Sequence, residues 1–399
     1  MPDGAASGPL ADVKVLDLSR FIAGPFCGQI LGDMGADVIK VERPGGEDAR
    51  RVAPAYEGES LYVMTYNRNK RGITLDTRHP RALGILEDLA RRSDVLVENY
   101  RPGTLEAMGL PPERLLELNP RLVITRLSGF GQTGPFAKRA LFDAIAQAMS
   151  GLMSLTGEPD GGPMLSGTYI ADFVAALYGV IGTVLALYAR EQTGEGQVVD
   201  VASLDGLVTC LGQHPSAVQM LGQPPERRGN RDGLNAPATV FRARDRYVYL
   251  HAGTPGLFAR MCAAMGRPDL LEDPRFADVP GRVGNAEAIE EIVGEWVAKH
   301  SSDELAELMT EAGIPFGPVA TMSDLVTSPQ LRAREMFVDI EHPELGVLKL
   351  LGSPIKLSET PASIRLAPPR AGADNEAVYR GLLGLTAEEL AELQREGAV

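Results

Sequence analysis

Among the acids of this chain, Asp172 stands apart, because it lies alone in an apolar stretch, residues 169–189, where the periodicity predicts the start of a long helix over about 173–190. A carboxylate there has two open uses. As an N-cap it would accept a backbone N–H bond. Walled by apolar residues and kept from bulk water, it would instead be a nucleophile toward an acyl group and form a mixed anhydride. Two glycine-rich segments, 129–134 and 157–167, flank it in sequence. They are either loops or places where substrate and backbone amides come close. The five histidines, His79, His214, His251, His300 and His342, are isolated, and His79 and His342 precede prolines. No Gly-x-Ser-x-Gly elbow, phosphate-binding Walker loop, His-Glu-x-x-His or paired-cysteine cluster occurs, so serine hydrolase, nucleotide triphosphatase and zinc-site chemistry lose their usual support.

Charge narrows the ligand. The chain carries 39 Lys and Arg against 53 Asp and Glu, net −14, a field that repels nucleic acid. Residues 40–139 nevertheless hold 17 basic and 13 acidic side chains, leaving 22 and 40 elsewhere. That stretch is either ordinary surface arginine or a seat for a small phosphorylated ligand. Three distant cysteines, Cys27, Cys210 and Cys262, suggest neither a disulfide framework nor a metal site, and they fit a reducing, cytoplasmic setting. The first residues show no basic and apolar leader pattern. The 169–189 stretch is long enough to span a bilayer, but its flanks lack a basic cluster, and a buried core helix is expected with no membrane partner.

The elements that must position these residues alternate. Strands are expected at 13–18, 37–41, 94–98, 122–127 and 197–201, with helices at 25–34, 80–91, 112–118 and 141–152, which reads as a parallel sheet covered by helices. Phe173, Leu177, Val180, Val184 and Leu187 are expected on one core face of the long helix. The turn after the first strand lacks the G-x-G-x-x-G spacing, which disfavours a nicotinamide enzyme. Residues 223–230 are turn-rich and polar and read as a linker into a mixed second domain. That domain has a strand at 247–251, a helix at 286–299, and a capping box at Ser301 and Glu304 starting another helix. Strands return at 336–340 and 347–351, and a second capping box, Thr386 to Glu389, opens a terminal helix.

The ordered fragments Val15-Leu16-Asp17-Leu18-Ser19-Arg20, Ala23-Gly24-Pro25, Gly35-Ala36-Asp37-Val38-Ile39-Lys40-Val41-Glu42-Arg43-Pro44, Asn69-Lys70-Arg71, Val97-Glu98-Asn99-Tyr100-Arg101-Pro102-Gly103 and Gly129-Phe130-Gly131-Gln132-Thr133-Gly134-Pro135 resemble the class III CoA-transferases. The likeness runs on through Thr193-Gly194-Glu195-Gly196-Gln197 and Gly313-Ile314-Pro315-Phe316-Gly317-Pro318-Val319 to the end of the chain. It implies an α/β fold: a doubly wound, Rossmann-like large domain from both chain ends, 1–220 and 330–399, and a smaller α+β domain at 221–329. Two ring-like subunits would interlace as a homodimer. Asp172 would match the catalytic aspartate, which takes the acyl group from an acyl-CoA and passes through an aspartyl-CoA thioester. Arg20 and Ala23, with Arg43, Leu75, Arg78, Asn99, Tyr100 and Phe142, would match the CoA-binding positions. Arginine suits phosphate by its fork of donors and permanent charge. The implied partners are an acyl-CoA co-substrate and a small carboxylic acid, with no tightly bound cofactor, no metal and no nucleic acid.

Departures are specific. Ala107 and Ala140 stand where formyl-CoA transferase has basic residues near CoA, Phe142 stands where it has a tyrosine, and its run of four glycines is missing. The oxalate and formate pair is therefore not carried over, and a dicarboxylate such as succinate or a short branched acid is expected. The same fold serves α-methylacyl-CoA racemases, whose His-Asp pair aligns with Phe142 and Asp143. Phenylalanine cannot exchange a proton, so that two-base mechanism lacks a partner, leaving Asp143 as a supporting acid or a satisfied polar group. Arg227, Arg228 and Arg231 either pair with a distal carboxylate or are solvated linker residues. A non-catalytic acyl-CoA-binding protein is the remaining alternative.

Overall fold

In the computed structural model, which describes residues 8–399, six short runs, five of them rich in Val, Ile and Leu, form one parallel sheet. They are Lys14–Asp17, Asp37–Glu42, Lys70–Thr74, Val95–Glu98, Val123–Ser128 and Val198–Ala202. Numbered in chain order, they lie across the sheet as third, second, first, fourth, fifth, sixth, with Val15 in register with both Val38 and Val95. Alternation sends successive side chains to opposite faces. Leu16, Ile39, Ile73, Leu96 and Ile124 pack on one face against Ile85, Leu86 and Leu89 of the helix Ala82–Arg91. Val15, Val38, Val95, Val97 and Val123 pack on the other, against Cys27 and Leu31 of Ala23–Asp33 and Ala175, Ala176 and Leu187 of Ile170–Thr193. With both faces covered, the strands have no need of a polar side. The order reverses between the first and fourth strands, and that reversal opens a crevice at their carboxyl ends.

The strand Lys70–Thr74 was not among the expected ones, because its sequence, Lys-Arg-Gly-Ile-Thr, has little apolar content. It is an edge strand whose free side is sealed by the C-terminal segment. Gly72 N–H donates to Asp374 at 2.7 Å, Thr74 N–H to Asn375 at 2.9 Å, and the Tyr379 hydroxyl to the Thr74 carbonyl at 2.6 Å.

The long helix runs from Ile170 to Thr193, and its packed face differs from the expected one. Ala171, Ala175, Ala176, Gly179, Thr183, Ala186, Leu187 and Arg190 are buried, whereas Leu177 and Val184 are exposed. Small residues win the sheet side because the helix lies close to it: a Cβ on Gly179 would stand 2.8 Å from Leu127 Cδ2. The helix is long and apolar enough to cross a membrane, yet Arg190 pairs with Asp94 at 3.0 Å and Thr183 shares a hydrogen bond with Thr125 at 2.6 Å, which ties it to the sheet.

Two compact units emerge. One holds the chain up to Leu152, Leu165–Pro215 and Pro329–Val399, and includes the hairpin Phe337–His342 and Gly346–Leu351. The other holds Met153–Met164 and Ser216–Ser328. Residues 153–164, expected in the large domain, belong to the second unit because Gly229 N–H donates to the Gly157 carbonyl at 3.0 Å and Arg227 donates to the Gly161 carbonyl at 2.6 Å. This unit has a three-stranded antiparallel sheet, Ala238–Arg242, Tyr247–His251 and Phe316–Pro318, under the helices Pro255–Met265, Ala286–Val297 and Ser302–Ala312. Phe241, Val248, Leu250, Phe258, Ile289 and Met309 form its core, and the Ser301/Glu304 capping box is present.

Candidate active site

The crevice at the strand reversal is a cavity of about 810 Å³ within the first unit. The segments following the first and fourth strands supply Arg20, Phe21, Ile22, Ala23, Asn99, Tyr100 and Arg101. Asp143 and Gln147 come from the helix Asp143–Ser150, and Tyr169 and Asp172 from the start of the long helix. Asn99 joins the two sides of the reversal: its Oδ1 accepts from Arg20 N–H at 2.8 Å and its Nδ2 donates to the Arg20 carbonyl at 2.7 Å. The Arg20 guanidinium lies 5.6 Å from the centre of the Tyr100 ring.

Asp172 is not the N-cap. Tyr169 occupies that position, and Asp172 lies in the first turn with its carboxyl facing the cavity lining. The cap is supplied from outside the helix: Asp143 Oδ1 accepts from Ala171 N–H at 2.7 Å, and its Oδ2 accepts from Gln147 Nε2 at 2.6 Å. Gln147 in turn accepts from Ser166 N–H at 2.9 Å and donates to the Thr168 carbonyl at 3.2 Å, so one side chain fixes the chain entering the helix. Asp143 is thus a satisfied, buried acid with a structural task.

Burial first, and the Asp143 carboxylate second, push the Asp172 carboxyl up to about 7, with no cation or hydrogen bond among the described residues drawing it down. An aromatic group walls this corner. Tyr62 stands edge-on to Tyr169 at 6.2 Å and to Tyr66 at 5.6 Å, and Phe173 packs edge-on to Phe26 at 5.5 Å. Burial, with Asp172 adding to it, holds the Tyr62 and Tyr66 hydroxyls in their neutral form: Tyr66 is raised to about 12 and Tyr62 higher still.

Of the expected site residues, Asp172, Arg20, Ala23, Asn99, Tyr100 and Phe142 line this one cavity. Three do not. Arg43 donates to the Gly46 carbonyl at 2.9 Å and pairs with Asp48, half exposed. Leu75 is 1% exposed, its side chain in the core behind the sheet, so it offers no side-chain contact to a ligand. Arg78 is exposed and pairs with Asp76 at 3.0 Å. Arg231 pairs with Glu290 at 2.7 Å, and Arg227 is held by carbonyls of its own unit. Sequence reasoning passed over Tyr62, Gln147, Ser166 and Tyr169. Gln147 had a signal, four residues after Asp143 on one helix, whereas Tyr62 and Tyr169 meet only in space. Among the described residues no group of three or more His, Cys, Asp or Glu is arranged to hold a metal ion.

A cavity of about 810 Å³ at the switch point of a doubly wound sheet, with a desolvated carboxylate in its wall, defines an α/β protein with a ligand site at the strand reversal. The chain belongs to CoA-transferase family III, whose model matches residues 10–375. It is 38% identical over 394 residues to succinyl-CoA–D-citramalate CoA-transferase of Chloroflexus aurantiacus, covering 98% of both chains. It is 35% identical to human succinyl-CoA:glutarate CoA-transferase, covering 98% of this chain and 90% of that one. A CAIB/BAIF family protein from Brucella suis superimposes with a TM-score of 0.85 at 35% identity, covering 94% of this chain and all of that one. The protein is a class III CoA-transferase, acting between an acyl-CoA and a carboxylate.

Proposed function

We propose that the chain moves CoA from succinyl-CoA or a similar acyl-CoA to a small dicarboxylate by covalent catalysis on Asp172. The observation that carries this reading is the Asp172 carboxyl itself, desolvated, raised to about 7, and set in the wall of the cavity built by Arg20, Asn99 and Tyr100. Burial raises affinity for a proton because it penalises the anion; for the same reason it favours attack on an acyl carbon, since either event discharges the carboxylate.

In the first step an Asp172 oxygen attacks the thioester carbon, the C–S bond breaks, and an aspartyl anhydride and CoA thiolate result. The thiolate then attacks the Asp172 carbonyl carbon, the anhydride C–O bond breaks, and the donor acid leaves behind an aspartyl-CoA thioester. The acceptor carboxylate attacks that thioester, giving a new anhydride and thiolate. Attack of the thiolate on the acceptor's acyl carbon then releases the new acyl-CoA and free Asp172. No net proton is taken up. CoA's phosphates would meet Arg20, the arginine among the expected binding residues that lines the cavity. The named relatives use succinyl-CoA, which supports succinate as one acid.

The reading extends to a cytoplasmic, interlaced homodimer. Association of two copies is supported by the exposed apolar face of the long helix, Leu177, Ile181, Leu185 and Tyr188, a row that is costly to leave in water. Racemase chemistry has no support at Phe142, which is 70% exposed and carries no exchangeable proton.

The test is intact-protein mass spectrometry after mixing with succinyl-CoA and hydroxylamine. An Asp172 hydroxamate is expected in the natural protein and none in Asp172→Ala; a fully active Asp172→Ala enzyme would sink the mechanism.

A further inference from the structure

The cavity wall depends on a turn, residues 19–23, that its own sequence does not favour. Phe21 has φ +65°, a left-handed conformation that costs a bulky residue energy. Its ring lies edge-on to Phe142 at 6.4 Å in the cavity lining. Beneath it Gly24 packs so tightly that a Cβ there would stand 2.1 Å from Ser19 Cβ. The turn is held by side chains from four strands and the segments after them. Asp17 accepts from Ser19 N–H at 2.9 Å and from the Ser19 hydroxyl, and Asn99 brackets Arg20. Lys70 Nζ donates to Asp17 at 2.8 Å and to the Pro25 carbonyl at 2.7 Å.

The remaining two holds come from one ion pair that the reaction itself does not use. Lys40 Nζ donates to the Ser19 carbonyl, Glu47 Oε2 accepts from Phe21 N–H at 2.9 Å, and Lys40 Nζ and Glu47 Oε1 stand 3.3 Å apart. Lys40 is fully buried and Glu47 is 3% exposed. A buried pair of this kind adds little stability over apolar residues of the same volume. What apolar residues cannot do is grip the Ser19 carbonyl and the Phe21 N–H, the backbone groups on either side of Arg20 that lead into the strained Phe21.

We propose that the buried Lys40–Glu47 pair positions the acyl-CoA-binding wall, with Glu47 as the residue that keeps Phe21 in its left-handed conformation. The inference rests on the CoA-transfer reading above. Glu47 touches no substrate and acts through the turn.

Steady-state exchange between succinyl-CoA and a dicarboxylate acceptor tests it on three full-length proteins. Lys40→Met/Glu47→Leu removes both charges together, so no uncompensated charge is left inside. Its thermal midpoint is expected a few degrees below that of the natural protein, because the Ser19 carbonyl and the Phe21 N–H lose their partners, while KM for succinyl-CoA rises about tenfold or more and KM for the acceptor stays within about twofold, as expected for a misplaced binding wall. Glu47→Gln keeps the size and an oxygen for Phe21 N–H, and a smaller rise of about threefold is expected. Natural succinyl-CoA KM values in Glu47→Gln, or in a stably folded double variant, would overturn the inference. If the double variant does not fold, Glu47→Gln decides alone. If the natural protein shows no exchange with any acid, the transfer reading has failed, not this one, and calorimetric CoA binding decides. Weaker binding by Glu47→Gln supports the positioning role, and equal binding overturns it.

Discussion

At the scale of single residues, the chemistry rests on the cost of keeping Asp172 charged. The enzyme needs the anion, so kcat/KM for the acyl-CoA is expected to rise with pH and level off, with an apparent midpoint near the raised value of about 7. A profile already flat at pH 5.5 would contradict the buried-carboxylate account. The same shift has a stability consequence. Because the folded protein holds the Asp172 proton up to about 7 while the unfolded chain releases it near 3.8, the folded state binds more protons across that window. Its stability therefore falls as pH rises through the window, and the penalty is complete above it. Asp172→Asn, which has no charge to bury, is expected to melt several degrees above the natural protein at pH 8 and close to it at pH 4, as read by differential scanning calorimetry.

At the scale of elements, the start of the long helix is held by a cap borrowed from its neighbour. Asp143 accepts from Ala171 N–H, and Gln147 locks Asp143 in turn. Asp143→Ala should cost about 1 kcal/mol, the usual worth of a capping side chain, and lower the thermal midpoint by a few degrees. The comparison is cleanest at pH 5.5, where Asp172 is mostly protonated and repels Asp143 least. The variant is also expected to shift the midpoint of the rate profile toward acid, since the Asp143 carboxylate is one of the two causes that raise Asp172. A profile that stays in place would show that burial alone sets the Asp172 proton affinity. The cap that Asp143 gives the Ala171 N–H accounts for an acid with no role in the reaction in the cavity wall.

At the scale of the whole molecule, one face of the Ile170–Thr193 helix is packed by small residues and the opposite face is left apolar and exposed, with Leu185 at 62% and Tyr188 at 68%. Exposed apolar rows of this kind mark surfaces that a partner covers. In sedimentation velocity the natural protein is expected to run as a dimer, and Leu185→Glu/Tyr188→Glu to run as a monomer or to lose solubility. A natural protein that sediments as a monomer at micromolar concentration would remove the homodimer from the proposal.

Local pattern was enough for much of this protein. The β-branched runs at 13–18, 37–41 and 94–98, the capping boxes at Ser301 and Thr386, and the lone carboxylate Asp172 in an apolar stretch were legible because each is written by neighbours in the chain. Tertiary structure decided what depends on distance. Lys70–Thr74 became a strand because it pairs with Asp37–Glu42 on one side and is held by the C-terminal segment on the other, and Leu177 and Val184 faced outward because the sheet side of the helix is taken mainly by Ala, Gly and Thr. Leu75 was turned into the core and Arg43 and Arg78 toward nearby acids, whereas Tyr62, Tyr169 and Asp172 were gathered into one corner. Periodicity records which way a side chain points within its own element; only packing fixes what stands opposite it.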